Sequence, residues 1–419
     1  MSGIIGIDFG ARSSSAAFSC GENSSTRALR VLNQWPAATR RPLSQFPSDD
    51  EVESIVYYDL NLKIVGWSED KHEVFRPEGG MQYGIYVVPD FQARLFPPND
   101  YPEEVQGAFL AHKKTADDIA VDYLRNLRLN VLAQVQSHCE APGTAQAGFH
   151  VVMTTPAFWD GEAQGNLRKI ARAAGFTEER GEKLEFVSGL EAALRYAEYE
   201  EPSNFTVGDT IMVLDCGGNL VEATTFEVRT GSPLSLERRS KVSVASCGSA
   251  EVTRRFLEVV SKKIEKTGFP SLGRTVPRMR LRCKTQFEKE VMMGLGNTTF
   301  QAPPGAPDAF WVADLRVDLD CTEADLVEGY MTFTEEEVYP CFDLAIERTL
   351  NLVKEQVEAV QEQNKRLNGC LLVGGFNRCA YYSRNVRAGI ESQGLRIIQH
   401  EHEPAGFAKG AVLSGLNRA

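Results

Sequence analysis

The sequence predicts an α/β protein built from two similar halves. Three observations lead there: short apolar, β-rich runs end abruptly in Asp or Gly, the same order of runs occurs twice, and helical stretches separate them. The 419 residues are 42% apolar and 24% charged, an ordinary globular composition that excludes disorder and collagen. At ~150 residues per domain, the prior is roughly two to three domains, large enough to fold without disulfide or metal staples.

The first element is a strand over Ile4 to Ile7, closed by Asp8-Phe9-Gly10 and followed by an antiparallel return through Ala16-Ala17-Phe18. A Pro- and Asp-rich stretch, Ala37 to Glu53, reads as a surface loop. The run His150-Val151-Val152-Met153 leads to Thr155-Pro156, and a helix is predicted over Gly161 to Ala174. The charged segment Glu198 to Asn204 joins the halves, which places the units at 1–204 and 205–419. The second half repeats the order. Ile211 to Leu214 is closed by Asp215-Cys216-Gly217-Gly218, with a return strand Val221 to Val228. Leu371-Leu372-Val373 then meets Gly374-Gly375, and a helix follows over Ala380 to Gln393. A long helix precedes it, about Cys341 to Arg366, with Ile346, Leu350, Val353 and Val357 on one stripe. Residues 251–318 break the symmetry as an insertion.

Charge and cysteine content narrow the function classes. A net charge of −12 argues against a default nucleic-acid or anionic-membrane binder. The N-terminus lacks a basic start and a long apolar run, so no secretory signal is expected, and no run approaches the ~18 residues of a membrane span. Nine cysteines without a Cys-x-x-Cys pair fit buried thiols of a reducing compartment, hence a cytoplasmic location. Cys216 and Cys247 are expected to be inert buried thiols, with redox sensing as the alternative. His400 and His402 could chelate a metal, but an exposed polar loop before the last helix is the expected reading.

Two Asp-terminated strands from two similar units point to a nucleotide cleft. A carboxylate at a strand end can hold hydrated Mg²⁺, and glycines beside it let backbone N–H groups approach phosphate oxygens. Asp8 and Asp215 are therefore the candidate metal ligands and catalytic carboxylates.

These motifs resemble the ATPase half of the seventy-kilodalton heat-shock chaperones, within the actin, sugar-kinase and heat-shock superfamily. Ile5 to Gly10 is similar to the family's first phosphate motif and Val213 to Gly218 to its second. Leu372 to Arg378 resembles its adenosine motif, and Glu403 to Ala411 its closing helix. The resemblance runs from residue 3 to 416 and implies a two-lobed actin-like ATPase fold, duplicated ribonuclease-H-like domains around a cleft. It implies ATP or ADP with Mg as cofactors, and contacts from Gly10, Ala11, Arg12, Gly217, Gly218, Asn219, Gly248, Gly374, Gly375 and Arg378. Protein clients or co-chaperones are the other implied partners. By this resemblance, the chain is expected to match members that have the ATPase unit without the family's peptide-binding half.

The departures bear on chemistry. Leu220 stands where the family has the Thr that touches the γ-phosphate. The Glu that opens the family's connecting helix falls on Gly189, or on Glu191 in a shifted alignment, and the phosphate-reaching Lys falls nearest Gln92. Loss of a base or charge clamp removes ~10²–10⁴-fold in rate, so hydrolysis is expected to be weak or absent. A pseudo-ATPase serving as a protein-interaction module is the alternative, and a small-molecule kinase of the same superfamily is a third class.

Overall fold

The structure is a computed structural model that describes residues 3–20, 28–36, 50–68, 86–98, 114–138, 148–176, 182–231, 234–268, 275–295, 310–398 and 405–418. His400, His402 and Cys139 lie outside these residues, as does most of the loop expected over Ala37 to Glu53.

The first half contains strands β1 (Gly3–Phe9), β2 (Ser13–Cys20), β3 (Arg30–Val31) and β4 (Glu51–Glu53). A small sheet follows, β5 (Val56–Tyr58), β6 (Ile64–Trp67) and β7 (Tyr86–Val88), and then β8 (His150–Thr155) and β9 (Lys183–Ser188). Its helices are α1 (Ala116–His138), α2 (Gly161–Ala173) and α3 (Gly189–Glu200). The main sheet has the order β3-β2-β1-β8-β9, with β4 on β2. The end of the expected loop is thus corrected to a strand: Ser13↔Glu53 and Ser15↔Glu51 pair across β2 and β4.

The second half contains β10 (Thr210–Cys216), β11 (Val221–Gly231), β12 (Leu234–Arg238) and β13 (Ser243–Ala245). After α4 (Ser249–Lys266) and α5 (Thr275–Gln286) come β14 (Trp311–Asp314), β15 (Leu326–Val327) and β16 (Tyr330–Phe333). The chain continues with α6 (Pro340–Gln361), β17 (Gly369–Val373), α7 (Ala380–Ser392), β18 (Arg396–Ile398) and α8 (Gly406–Arg418). Its main sheet has the order β12-β11-β10-β17-β18, with β13 on β11. Both main sheets therefore run first, second and third strands antiparallel, then two more parallel to the first. The small sheet β14-β16-β15 crosses residue 318, where the insertion was expected to end, because Tyr330–Phe333 is its central strand.

Period-2 alternation explains how each central strand is covered on both faces. Ile5, Ile7 and Phe9 pack outward against Tyr123, Leu124 and Leu127 of α1 and Leu167 and Ile170 of α2. Ile4, with Val152 and Val187, meets Ala408, Ala411 and Val412 of α8 on the other face. In the second half Met212, Leu214 and Cys216 face Phe256 of α4 and Val353 and Val357 of α6. Ile211 and Val213 turn the other way, onto Leu190, Ala193, Leu194 and Ala197 of α3. Each half thus lends its last helix to the sheet of the other.

The two lent helices cross at contact distance. A Cβ on Gly410 would lie 1.9 Å from the Ala192 carbonyl oxygen, and one on Gly6 would lie 2.1 Å from that of Ala408. Only hydrogen side chains fit both places. Among the described residues no helix is long and apolar enough to cross a membrane.

Candidate functional site

The hairpins bring the predicted carboxylates to their sheet ends. Asp8 pairs with Ser15 on β2, and Ile7 pairs with Met153 on β8, so the next residue of β8, Thr154, reaches Asp8. The Thr154 hydroxyl donates to Asp8 Oδ1 at 2.5 Å. In the second half Asp215 pairs with Glu222 on β11 and with Val373 on β17. Gly374 follows with φ 95° and ψ 151°, open only to glycine. The Asp215 Oδ1 atom lies 2.3 Å from where a Gly374 Cβ would be, so the third glycine motif makes room for the second carboxylate.

Like charges couple along this group: Asp8 acts on Asp215, and Asp215 acts on Glu222. Burial pushes Asp8 up to about 7, against the Thr154 hydrogen bond, and the Glu51 charge adds to the rise. Burial and the charge of Asp8 raise Asp215 to about 7. Burial and the charge of Asp215 raise Glu222 to about 8, while the N–H groups of Phe158 and Ala157 oppose the rise. Asp8 and Asp215 still keep partial exposure, so neither is sealed in the core.

This donor set fits a hydrated hard cation. Mg²⁺ keeps several waters and needs only one or two protein carboxylates, and a divalent charge would remove the repulsion. It does not fit an all-protein metal cage: among the described residues no group of three or more His, Cys, Asp or Glu converges on one point.

The glycine turns are less open than a phosphate cradle requires. The Gly10 carbonyl accepts from the Ser54 hydroxyl at 2.8 Å, and the Arg12 carbonyl from the Ser54 N–H at 3.0 Å. Gly248 is the N-cap of α4, and a Cβ there would lie 2.6 Å from the Gly217 oxygen. The N–H groups of Gly248, Ser249 and Ala250 donate to the carbonyls of Asn219, Gly217 and Gly218. The start of this helix is therefore already satisfied by the second turn. Ala11 is partly exposed in the first turn, and a Cβ on Gly375 would meet nothing within 4 Å.

Both candidate cations already have carboxylate partners from the opposite half. Arg12 reaches Glu288 at 3.2 Å and Arg378 reaches Glu51 at 3.3 Å, while Asp90 of its own half lies 3.8 Å from Arg12. The Asn219 amide donates to Asp90 at 3.0 Å, and the Phe158 N–H donates to Glu222 at 3.1 Å. Gln92 is buried and donates to the Phe9 carbonyl at 3.2 Å, which braces the first turn. Glu191 accepts from Arg195 at 2.8 Å, one turn along its own helix. Cys216, Cys247 and Cys370 lie behind the second turn with no exposed surface, and burial pushes Cys370 up to about 12.

Sequence reasoning singled out Asp8, Asp215 and the glycines but not Thr154, Glu222, Glu51, Asp90 or Glu288. Glu222 had a signal: in a tight hairpin it falls directly opposite Asp215. Glu288 had none, since it meets Arg12 across 276 residues of chain. No protein-family model matches the chain, and no curated protein matches it.

Proposed function

We propose that the chain is a two-lobed, actin-like protein resembling the heat-shock ATPase unit, which binds a magnesium adenine nucleotide in its cleft and hydrolyses it slowly or not at all. The observation that carries this reading is the placement of Asp8 and Asp215, each near the end of the corresponding strand of a sheet of the same order. The exchange of last helices between the halves supports a hinged pair of lobes.

Asp8 and Asp215 would hold the hydrated Mg²⁺ when it is bound, and the metal would supply the positive charge that draws phosphate oxygens into an acidic cleft. Arg378 would lie against the base. The chain's own groups for bond cleavage are poor: Leu220 offers no hydroxyl, Gly189 offers no carboxylate and Gln92 is held by Phe9. Nucleotide-dependent lobe closure, read by protein clients or co-chaperones, is the use such a unit would serve.

A pseudo-ATPase is the second reading, favoured by the ion pairs that already occupy Arg12 and Arg378. Titration calorimetry with Mg-ATP and Mg-ADP, alongside phosphate release, separates the two. Binding with little phosphate release supports the first reading. No binding of either nucleotide supports the second.

A further inference from the structure

We propose that Arg12, Asp90, Asn219 and Glu288 form an autoinhibitory latch across the cleft, which a polyphosphate anion opens by taking Arg12 from its two carboxylates. The proposal rests on the reading of the cleft as a phosphate-ligand site and concerns how that site is gated.

The latch crosses the cleft in both directions. Arg12 leaves the first turn and bonds Glu288 of the inserted region at 3.2 Å. Asn219 leaves the second turn and bonds Asp90 of the first half at 3.0 Å, while Asp90 also lies 3.8 Å from Arg12. Asp90 holds φ at 57°, a left-handed conformation that non-glycine residues adopt at a cost.

The far end of the tie is packed against α4. Glu288 sits on a π-helical turn, Phe287–Val291, an irregularity that recurs at functional sites. Phe287 stacks on Phe256 of α4 with ring centroids 3.9 Å apart, and Thr253 of α4 donates to Glu288 at 3.2 Å. The first N–H groups of α4 in turn hold the carbonyls of the second glycine turn. The π-turn, α4 and the second turn are thus braced together, and Arg12 ties them to the first half.

Latch and ligand compete for the same space. The Arg12 Cγ atom lies 2.2 Å from where a Gly218 Cβ would be, so the arginine stem covers the glycine that a phosphate would approach. A chain of phosphates can settle there only if the stem moves. About a third of the Arg12 side chain is exposed, which leaves it reachable, and a phosphate offers its guanidinium a bidentate, charge-assisted partner.

The test uses the full chain as wild type, Glu288→Gln, Arg12→Ala and the double variant, with Mg-tripolyphosphate and Mg-ATP as probes. Without ligand, each single variant should speed deuterium exchange in residues 249–266, and the double variant should speed it no further. Glu288→Gln should bind Mg-tripolyphosphate about two- to fivefold more tightly, as loss of a part-exposed ion pair implies, and Arg12→Ala should bind it more weakly. An advantage of ATP over tripolyphosphate in every variant would mark a nucleotide as the source of the phosphates. Equal affinities and equal exchange in all four proteins overturn the latch and leave the cleft reading intact. Faster exchange in both single variants with no binding of either probe overturns phosphate as the opener and the cleft reading with it. Asp90→Asn, whose backbone conformation suits Asn equally, repeats the test should Glu288→Gln fail to fold.

Discussion

Replacing Asp215 with Asn should stabilise the ligand-free protein by an amount that grows with pH. The Asp215 carboxyl is held at about 7 in the folded chain against 3.8 as its reference, through burial and the charge of Asp8. The unfolded chain therefore loses this proton near pH 4, whereas the folded chain keeps it until about pH 7. Across that window the folded state binds more protons, so wild-type stability falls as pH rises. Asn has no such charge, so the variant's advantage opens above about pH 4 and levels off above about pH 7. Three pH units at ~1.4 kcal/mol each set a ceiling of roughly 4 kcal/mol. The partial exposure of Asp215 lowers that to about 2 kcal/mol, or several degrees in melting temperature. Thermal melts of both proteins from pH 4 to 8 measure the difference directly. An advantage that is flat with pH, or a variant less stable than wild type at pH 8, would refute the reasoning. Added Mg²⁺ should narrow the gap at pH 8, because a cation between the carboxylates removes the same repulsion.

Three further outcomes are expected. Gly410→Ala should lower stability by about 2 kcal/mol, since the close approach to the Ala192 carbonyl outweighs the better helix propensity of Ala; a urea midpoint at or above wild type would rule out this helix crossing. Arg378→Ala should weaken Mg-ATP binding by several-fold up to roughly thirtyfold, while Glu51→Gln, which frees Arg378 from its carboxylate, should strengthen it. A thiol reagent should label Cys20 and Cys321, which are partly exposed, well before Cys216, Cys247 and Cys370, as mass spectrometry over time would show.

The parts of the fold that the sequence announced are those dictated by local chemistry. A run such as Ile211 to Leu214 can be satisfied only as a strand covered on both faces, and Asp215 with Gly217-Gly218 must end it. The two carboxylates followed from that alone. The long helix was read less well. Its stripe was expected through Ile346, Leu350, Val353 and Val357; Val353 and Val357 are buried, but Ile346 and Leu350 are only partly so, and the deepest residues are Phe342, Ala345, Thr349, Val353 and Val360. The helix packs on two sides, and Leu350 faces the second of them, where a Cβ on Gly389 would lie 2.3 Å from Leu350 Cδ2. It also ends at Gln361 and not Arg366, because Asn364 takes φ 54° and the Lys365 N–H turns back to the Val360 carbonyl. The ion pairs between the halves were out of reach, since Glu51 and Glu288 carry no local pattern that names Arg378 or Arg12 as their partners.

The measurement closest to the central claim is a calorimetric titration of Mg-ADP into the wild type and into the Asp8→Asn, Asp215→Asn double variant, each repeated without magnesium. The account predicts saturable binding to the wild type that needs magnesium and is lost when both carboxylates are neutral. Binding that persists undiminished in the double variant, or that ignores magnesium, would contradict it.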